Sequence, residues 1–208
     1  MTSMTNEERM KSGELYIASK GDLPAKQRRA RLLMEKYNRT SITDLTGRRE
    51  LLQQLFGAVG EHVYIEPRLA VDYGENIRVG DRFYANYDPI MLDVAPITIG
   101  ADVMFGPRVS LLTPGHPLDA AVRVAGYEYA KPITIGDRVW IGGEVTVLGG
   151  VTIGDNTVVG AGAVVTKDLP ANVVAVGNPA RVLRPLGPED AATWQAQRAA
   201  YDAEFAQQ

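Results

Sequence analysis

The sequence predicts a mainly β protein, a parallel β-helix with a helical segment at the N-terminus and a helix at the C-terminus. Three observations support this. From residue 133 the chain runs without a slip through six consecutive six-residue units: ITIGDR, VWIGGE, VTVLGG, VTIGDN, TVVGAG and AVVTKD. The third position of every unit is aliphatic, and glycine follows it in four of the six. An earlier block, residues 97–114, keeps the same phase, and a short fixed period is typical of solenoids.

A period of six suits short strands joined by corners. In an α-helix every sixth residue falls about 120° short of two full turns, so the aliphatic set would spread over three faces. β-branched residues favour strands, and glycine tolerates a corner that a Cβ would crowd. Stacked coils would bury the aliphatic positions in one column and pair their backbones at about 4.8 Å. An ordinary β-sandwich, the alternative, does not require six units in register.

The repeat also sets the domain organisation. Residues 1–60 are a predicted N-terminal helical segment, residues 61–184 the β-helix and residues 185–208 a C-terminal helical tail. Residues 115–132 lack the pattern and are expected to leave the stack as an extruded loop. A weaker unit at residues 77–80 lies two residues out of phase with the later ones.

The N-terminal segment carries three helix signals. Thr5 and Glu8 have the spacing of a capping box. Pro24, just after Asp22, fits the first turn of a second helix. The apolar face of a third helix is predicted to consist of Leu45, Leu52, Leu55 and Phe56.

Two charged or mixed segments have simple interpretations. The basic run of the second helix is interpreted as a solvated face rather than a ligand site: Lys26, Arg28, Arg29 and Arg31. The tail is rich in alanine, glutamine and glutamate, and we predict a helix there. We expect this helix to dock on the open end of the coil or on a neighbouring chain through Trp194, Tyr201 and Phe205.

Composition excludes several kinds of protein. The chain has 208 residues and a formal net charge of −3, which disfavours a nucleic-acid surface. It has no cysteine, which excludes disulfides, thiolate nucleophiles and iron–sulfur clusters. Its two histidines, His62 and His116, cannot form a three-histidine metal site such as a β-helical carbonic anhydrase needs, so no metal is expected. His62, at the helix-to-coil junction, is interpreted as structural. Neither a signal peptide nor a membrane span is apparent, and a cytoplasmic protein is expected.

Several segments together resemble one family. They are ERMKSGELY, VDYGENIRVGDRFYANYD, MLDVAPITIG, TPGHPLD and the run KPITIGDRVWIGG…GVTIGDN…GAGAVVTKDLPANVVAVGNPARV. This combination, from about residue 8 to about residue 184, resembles the maltose/galactoside O-acetyltransferases, a branch of the hexapeptide-repeat acyltransferases. The resemblance implies a left-handed coil, a homotrimer, acetyl-coenzyme A (acetyl-CoA) as donor and a sugar hydroxyl as acceptor. The spacing itself does not supply the handedness.

The candidate general base is His116. It lies in the single long interruption of the repeat, where function tends to be found, and the catalytic histidine of the family falls in the same GHP motif. A histidine suits removal of a hydroxyl proton at neutral pH; the alternative is a surface-loop histidine without a role. Glu128, in the same loop, is the candidate for orienting its ring, or else a plain surface glutamate.

The resemblance also implies an acceptor site. Asn86 matches an asparagine that contacts the reacting hydroxyl, although asparagine is also an ordinary turn residue. Asp72 and Asp93 match positions that bind acceptor hydroxyls, with turn capping as the alternative. The acid that the family carries in the N-terminal segment is absent at Ala18, where Ser19 is a possible substitute.

Donor binding is expected along the coil. By resemblance, the backbone N–H of Gly143 contacts the thioester, and Trp140 flanks the pantetheine arm or packs at a trimer interface. Ala161, Thr166 and Lys167 are expected on the outer side of the later coils. Lys167, Arg181 and Arg184 form a basic group near the end of the coil, and such cations suit the phosphates of coenzyme A. The alternative for the cations is a scattered surface distribution.

These parts predict direct acetyl transfer with His116 as base and without an acetyl-enzyme. Two alternatives stay open at this point. One is an acetyltransferase for another hydroxyl acceptor, such as an antibiotic or a lipo-oligosaccharide. The other is a non-catalytic β-helical scaffold, which would not require a histidine, an asparagine and a basic cluster together.

Overall fold

The computed structural model describes residues 4–205, and these residues form the predicted parallel β-helix with helices at both ends. The helices are α1 (Asn6–Ser12), α2 (Leu23–Asn38), α3 (Leu45–Leu55), α4 (Ala120–Val124) and α5 (Pro188–Phe205). The coil has three parallel sheets that form the faces of a prism. The first contains β1 (Ala58–Val59), β4 (Ile77–Val79), β7 (Ile97–Ile99), β12 (Ile133–Ile135) and β15 (Thr152–Ile153).

The other two sheets follow the same stacking order. The second contains β2 (Tyr64–Ile65), β5 (Tyr84–Ala85), β8 (Met104–Phe105), β13 (Trp140–Ile141), β16 (Val158–Val159), β18 (Val173–Val176) and an antiparallel last strand, β19 (Arg181–Pro185). The third contains β3 (Ala70–Val71), β6 (Ile90–Leu92), β9 (Ser110–Leu112), β14 (Thr146–Leu148) and β17 (Val164–Val165). A short antiparallel hairpin stands outside them, formed by β10 (Pro114–Gly115) and β11 (Tyr129–Ala130).

Strand register gives the length of each coil. Ile77 pairs with Ile97, a step of 20 residues. Ile135 pairs with Ile153, a step of 18 residues or three six-residue units. The longer early coils therefore explain why the unit at residues 77–80 is out of phase with the later ones.

The aliphatic third positions form the predicted buried column. Each is at most 1% exposed: Ile135, Ile141, Val147, Ile153, Val159 and Val165. Strand alternation turns the residues between them outward, so Trp140 is 52% exposed beside buried Val139. Because a fully buried Val or Ile contributes about 1.5–3 kcal/mol, this column is the main source of stability.

The N-terminal helices begin as predicted. The Thr5 side chain accepts from the backbone N–H of Glu8, and the Glu8 carboxylate accepts from the backbone N–H of Thr5, so the capping box is confirmed. Pro24 lies in the first turn of α2. In α3, Leu52 and Leu55 are buried as predicted.

Two predictions for this segment were wrong. Leu45 begins α3 and is 60% exposed, so it does not belong to the apolar face, which buries Arg48 instead. Lys26 is not part of a solvated face, because its Nζ lies 2.6 Å from a Glu7 carboxylate oxygen and 2.8 Å from one of Glu75. The ammonium thus ties α2 to α1 and to the coil.

The tail forms the predicted helix, α5, but the helix does not dock on the end of its own coil. No residue of α5 is buried, and Trp194 is 67% exposed. Its first turn is fixed by Asp190, which receives both arms of the Arg184 guanidinium at 2.7 Å and the Gly187 N–H at 2.8 Å. These donors lower the pKa of Asp190 to about 2.

Candidate active site

The prism has three edges, and they differ in regularity. At the aspartate edge the chain passes from the first sheet to the second, at the glycine edge from the second to the third, and at the loop edge from the third to the first. Across the loop edge, Ile90 and Thr98 are eight residues apart, whereas their register equivalents Thr146 and Thr152 are six apart. The two extra residues of the early coils therefore lie at the loop edge.

The extruded hairpin also leaves the stack at the loop edge. Its ladder pairs Pro114 with Ala130 and Gly115 with Tyr129. Continuing that register places His116 opposite Glu128, and side chains of directly opposed residues project from the same face about 4.5–5.5 Å apart at Cβ. His116 is exposed and makes no hydrogen bond to residues 4–205, whereas Glu128 is half-buried.

Glu128 is held from its other side by the N-terminal segment. Its backbone N–H and carbonyl both bond to those of Tyr16, at 3.0 Å each, in an isolated antiparallel bridge. The Tyr16 hydroxyl donates to a Glu128 carboxylate oxygen at 2.5 Å. No local sequence pattern indicates this pair, because its members are 112 residues apart.

Asp72 lies in the same neighbourhood, in the first coil. Burial raises the pKa of Asp72, and the negative charges of Asp93 and Glu128 raise it further. Gln27 and Arg31, both on α2, oppose this rise. A half-buried carboxylate without a bound cation is costly, so Asp72 remains a good candidate for hydroxyl groups of an acceptor.

Asp93 does not have the freedom expected of an acceptor-binding residue. It is 0% exposed, and its carboxylate accepts from the backbone N–H groups of Asp72 at 3.1 Å, Tyr73 at 2.9 Å and Asn76 at 3.2 Å. Burial raises the pKa of Asp93, while the N–H donors act against this rise. The turn-capping alternative therefore describes the contacts of Asp93 within one chain, and acceptor binding through its carboxylate stays a prediction.

Asn86, Gly143 and Ala161 lie at the glycine edge; Gly143 and Ala161 are on neighbouring coils, and one coil separates Asn86 from Gly143. Neighbouring coils approach closely there, since a Cβ at Gly142 would lie 2.6 Å from the backbone nitrogen of Ala161. The half-buried Asn86 accepts from the N–H of Tyr87 at 2.7 Å through its side-chain oxygen. That bond uses the amide oxygen in the turn and leaves the amide N–H₂ group available to a ligand.

The predicted donor-site residues lie on the outside of the prism. Trp140 projects from the second sheet, and Thr166 and Lys167 are exposed at the late end of the loop edge. Arg181 is exposed on β19. Arg184 was predicted to be a cation for phosphate groups; in the single chain its guanidinium donates to Asp190 at 2.7 Å through both arms, and phosphate binding by Arg184 stays a prediction.

The single chain does not bring the predicted catalytic residues together. His116, Glu128 and Asp72 lie at the loop edge, whereas Asn86 and Gly143 lie at the glycine edge, with the whole third sheet between. A strand of three residues spans about 10 Å. A site with both sets therefore needs the loop edge of one chain and the glycine edge of another.

The described residues show neither a metal centre nor a membrane-spanning helix. Among residues 4–205, no three His, Cys, Asp or Glu side chains converge in a way that could hold a metal ion. His62 occupies a left-handed corner of the aspartate edge, with φ of 56°. In the same described part of the chain, no helix is both long and apolar enough to cross a lipid bilayer.

Two family models match the chain. The maltose acetyltransferase hexapeptide capping motif matches residues 9–60, and the bacterial transferase hexapeptide model (six repeats) matches residues 132–167. The first match covers the helical segment that holds Glu128, and the second covers the six regular units.

Similar proteins match over nearly the whole length. The galactoside O-acetyltransferase of Escherichia coli K12 is 42% identical over 188 residues, which are 90% of this chain and 93% of that protein. The crystal structure of a maltose O-acetyltransferase from Clostridium difficile has a TM-score of 0.88 and 47% identity, covering 89% of this chain and all (100%) of that one. A galactoside acetyltransferase in complex with coenzyme A has a TM-score of 0.87 and 42% identity, covering 90% of this chain and 94% of that one.

Proposed function

The chain belongs to the maltose/galactoside O-acetyltransferase family of hexapeptide-repeat acyltransferases, and on that premise we propose that it moves the acetyl group of acetyl-CoA to a hydroxyl group of a sugar. One observation carries the proposal. The extruded hairpin carries His116 and Glu128 directly next to its last ladder pair, Gly115 with Tyr129, in a chain that is 42% identical over 90% of its length to a galactoside O-acetyltransferase. A solenoid that served only as a scaffold would not need this hairpin.

His116 acts as the general base in this proposal. It takes the proton of the acceptor hydroxyl while the hydroxyl oxygen attacks the carbonyl carbon of the thioester. The carbon–sulfur bond then breaks, and His116 returns the proton to the departing thiolate of coenzyme A. A histidine suits both steps near neutral pH, and Glu128 orients its ring.

The site forms between two copies of the chain, in a homotrimer. The loop edge of one copy supplies His116, Glu128 and Asp72, and the glycine edge of its neighbour supplies Asn86 and Gly143. Their separation by a full sheet within one chain supports this arrangement. So does the exposure of large apolar side chains on the outer faces, among them Met104 and Trp140, both 52% exposed.

Acetyl-CoA is the donor, and the outside of the coil suits a long ligand. The backbone N–H of Gly143 receives the negative charge that develops on the thioester oxygen, and Asn86 assists at the acceptor. Trp140 and Ala161 flank the pantetheine arm. Lys167 and Arg181, both exposed, are the cations for the phosphates, with Thr166 beside them. A cytoplasmic location, expected from the sequence, accords with the use of this donor.

The acceptor is a sugar of the maltose, glucose or galactoside kind. One observation keeps a second class of acceptor open, namely an antibiotic or a lipo-oligosaccharide hydroxyl. Of the acids that the family resemblance suggested for the acceptor, one is absent, since Ala18 stands at its position, and another, Asp93, is held by three backbone N–H groups. Asp72 is the acid that remains for hydroxyl recognition.

A thiol-release assay tests the proposal. Purified enzyme is mixed with acetyl-CoA and, one at a time, maltose, glucose, a galactoside, an aminoglycoside and a lipo-oligosaccharide. We expect acceptor-dependent release of free coenzyme A with a sugar, and mass spectrometry should find one added acetyl group on that sugar. If no acceptor caused release of free coenzyme A, even though calorimetry showed that coenzyme A binds, the proposal would fail and the scaffold alternative would replace it.

A further inference from the structure

We propose that Tyr16 is a positioning residue, which fixes Glu128 opposite His116 and so makes the N-terminal helical segment part of the catalytic apparatus. The expected effect on kcat rests on the proposed function. Without this role, the helical segment would only cover the first coil. The contacts of Tyr16 indicate that the segment also positions a residue of the hairpin.

The geometry is that of a narrow three-stranded strip. Glu128 and Tyr16 are opposed in the antiparallel bridge, and one step beyond the last hairpin pair, Gly115 with Tyr129, the same register brings His116 opposite Glu128. Residues directly opposed across antiparallel strands project their side chains from the same face. The three side chains therefore form a row in which Glu128 is the middle member.

The hydrogen bond selects one of the two carboxylate oxygens of Glu128. The Tyr16 hydroxyl donates to Oε2, and Oε1 makes no hydrogen bond to residues 4–205. A carboxylate fixed at one oxygen keeps a single rotamer, so its second oxygen has a defined direction for an imidazole N–H. An acid orients a catalytic histidine in this way in many enzymes, and here Tyr16 in turn orients the acid.

Tyr16 is suited to hold a fixed position. It is 1% exposed and packs in a cluster at the loop edge with Tyr73, Val94, Ala95 and Ala130. Burial, the bond to Glu128 and the nearby carboxylates raise its pKa well above the usual range, so the phenol stays protonated and can only donate to Glu128. The hydroxyl thus remains a donor over the whole working pH range.

Apart from the buried Ala130, the hairpin has few other supports among the described residues. Its ladder has two residue pairs, and the helix within it, α4, has no buried residue. The end of α1 touches β11, where a Cβ at Gly13 would lie 3.1 Å from the carbonyl oxygen of Ala130. The position of Glu128 therefore depends on the contact with Tyr16.

The test compares four enzymes with wild type: Tyr16→Phe, Glu128→Gln, the double variant, and Tyr37→Phe as a matched control. Tyr37 is also 1% exposed and lies in the same helical segment, but its hydroxyl donates to the Ile65 carbonyl, far from the loop edge. We expect Tyr16→Phe to lower kcat about 10-fold with KM for acetyl-CoA unchanged, since misplacement of a base slows the chemical step. Tyr37→Phe should keep kcat and lower only Tm.

The double variant separates positioning from structure. If Tyr16 acts through Glu128, the double variant has the kcat of Glu128→Gln alone, because the amide has only one acceptor oxygen and has already lost the second one, which would receive the imidazole N–H of His116. If the two kcat losses multiply, or if Tyr16→Phe keeps the wild-type kcat, the proposal is overturned.

A second readout does not depend on turnover. With ¹⁵N-labelled histidine, the chain has two imidazoles, and His62 serves as the internal reference. Tyr16→Phe should shift the imidazole resonances of His116 and leave those of His62 in place, and unchanged His116 resonances would reject the inference. If the wild-type enzyme released no coenzyme A with any acceptor, the proposed function would fail, while these resonances would still decide the role of Tyr16.

Discussion

The aspartate edge and the loop edge both carry carboxylates on successive coils, yet they use them differently. At the aspartate edge, Asp137 accepts from the N–H of Ala101 at 2.8 Å, and Asp155 accepts from the N–H of Asp137 at 2.9 Å. Each carboxylate thereby satisfies the backbone of the preceding coil. At the loop edge, the carboxylate of Asp93 does the same. Among the described residues, the carboxylates of Asp72 and Glu128 cap no backbone N–H group.

The difference teaches where function can reside in a repetitive fold. A carboxylate that caps buried backbone N–H groups is held in place by them and has little freedom to meet a ligand. A half-buried carboxylate that caps no backbone N–H group lowers stability and keeps acceptor capacity for a ligand. The regular edge therefore favours stability, and the irregular edge gives up some stability for chemistry.

The strongest test of this contrast is His116→Ala. Because the side chain is exposed and makes no hydrogen bond to the described residues, its loss should leave Tm unchanged. The kcat should fall at least about 100-fold, in line with removal of a general base. Steady-state kinetics and a melting curve on one preparation check both statements, and near-normal turnover would contradict the contrast.

Asp93→Ala tests whether a loop-edge acid can behave as an aspartate-edge acid. Three backbone N–H groups lose their acceptor in a buried position. We expect a loss of about 2 kcal/mol in the free energy of unfolding, measured by urea denaturation. If the variant were as stable as wild type and had lost only affinity for the acceptor, Asp93 would be an acceptor-binding residue and not a structural one.

Asp137→Ala is the corresponding change at the aspartate edge. It leaves the partly buried N–H of Ala101 without its acceptor, so we expect a loss of about 1 kcal/mol by the same method. The kcat and both KM values should stay those of wild type. A clear kinetic effect would mean that the aspartate edge also takes part in function.

Asp72→Asn should have the smallest effect on stability and the opposite sign. Because burial raises the pKa of Asp72 in the folded state, the native protein binds more protons than the unfolded chain, and stability falls as pH rises through about 3.8 and then through the raised folded pKa. The amide removes that loss, so Tm at pH 7 should rise by about 2 °C.

The pH dependence and the kinetics complete that test. The gain in Tm should shrink as the pH is lowered toward about 4, where the carboxyl group itself becomes protonated. At pH 7 the KM for the acceptor should increase while KM for acetyl-CoA stays constant. A stabilised variant with unchanged acceptor KM would remove Asp72 from the acceptor site.

The sequence predicted the regular part of the fold because each six-residue unit repeats the same local physics. The aliphatic position is buried in every coil, and the corner glycine recurs where neighbouring coils touch. The capping box at Thr5 could be predicted for the same reason, since both partners are three residues apart. Leu45 was misplaced because an N-terminal helix position can carry an apolar residue without burying it.

The site could be predicted only in part, and the misses share one cause. His116 stood out because it interrupts a pattern. The capping role of Asp93, the ion pair of Arg184 and the bond from Tyr16 to Glu128 are contacts between positions whose partners no local pattern selects. In each case the side chain type fitted a ligand role, and the tertiary neighbour decides what it does.

The coil lengths have a consequence for how such enzymes diversify. The loop edge accommodates steps of 20 residues in the early coils and 18 in the later ones, and in one coil it admits a whole hairpin. The strands on either side keep their partners in all three cases. Foreign segments grafted at this edge should thus leave the prism folded, which makes the edge a natural place for evolution or engineering to introduce new acceptor specificity.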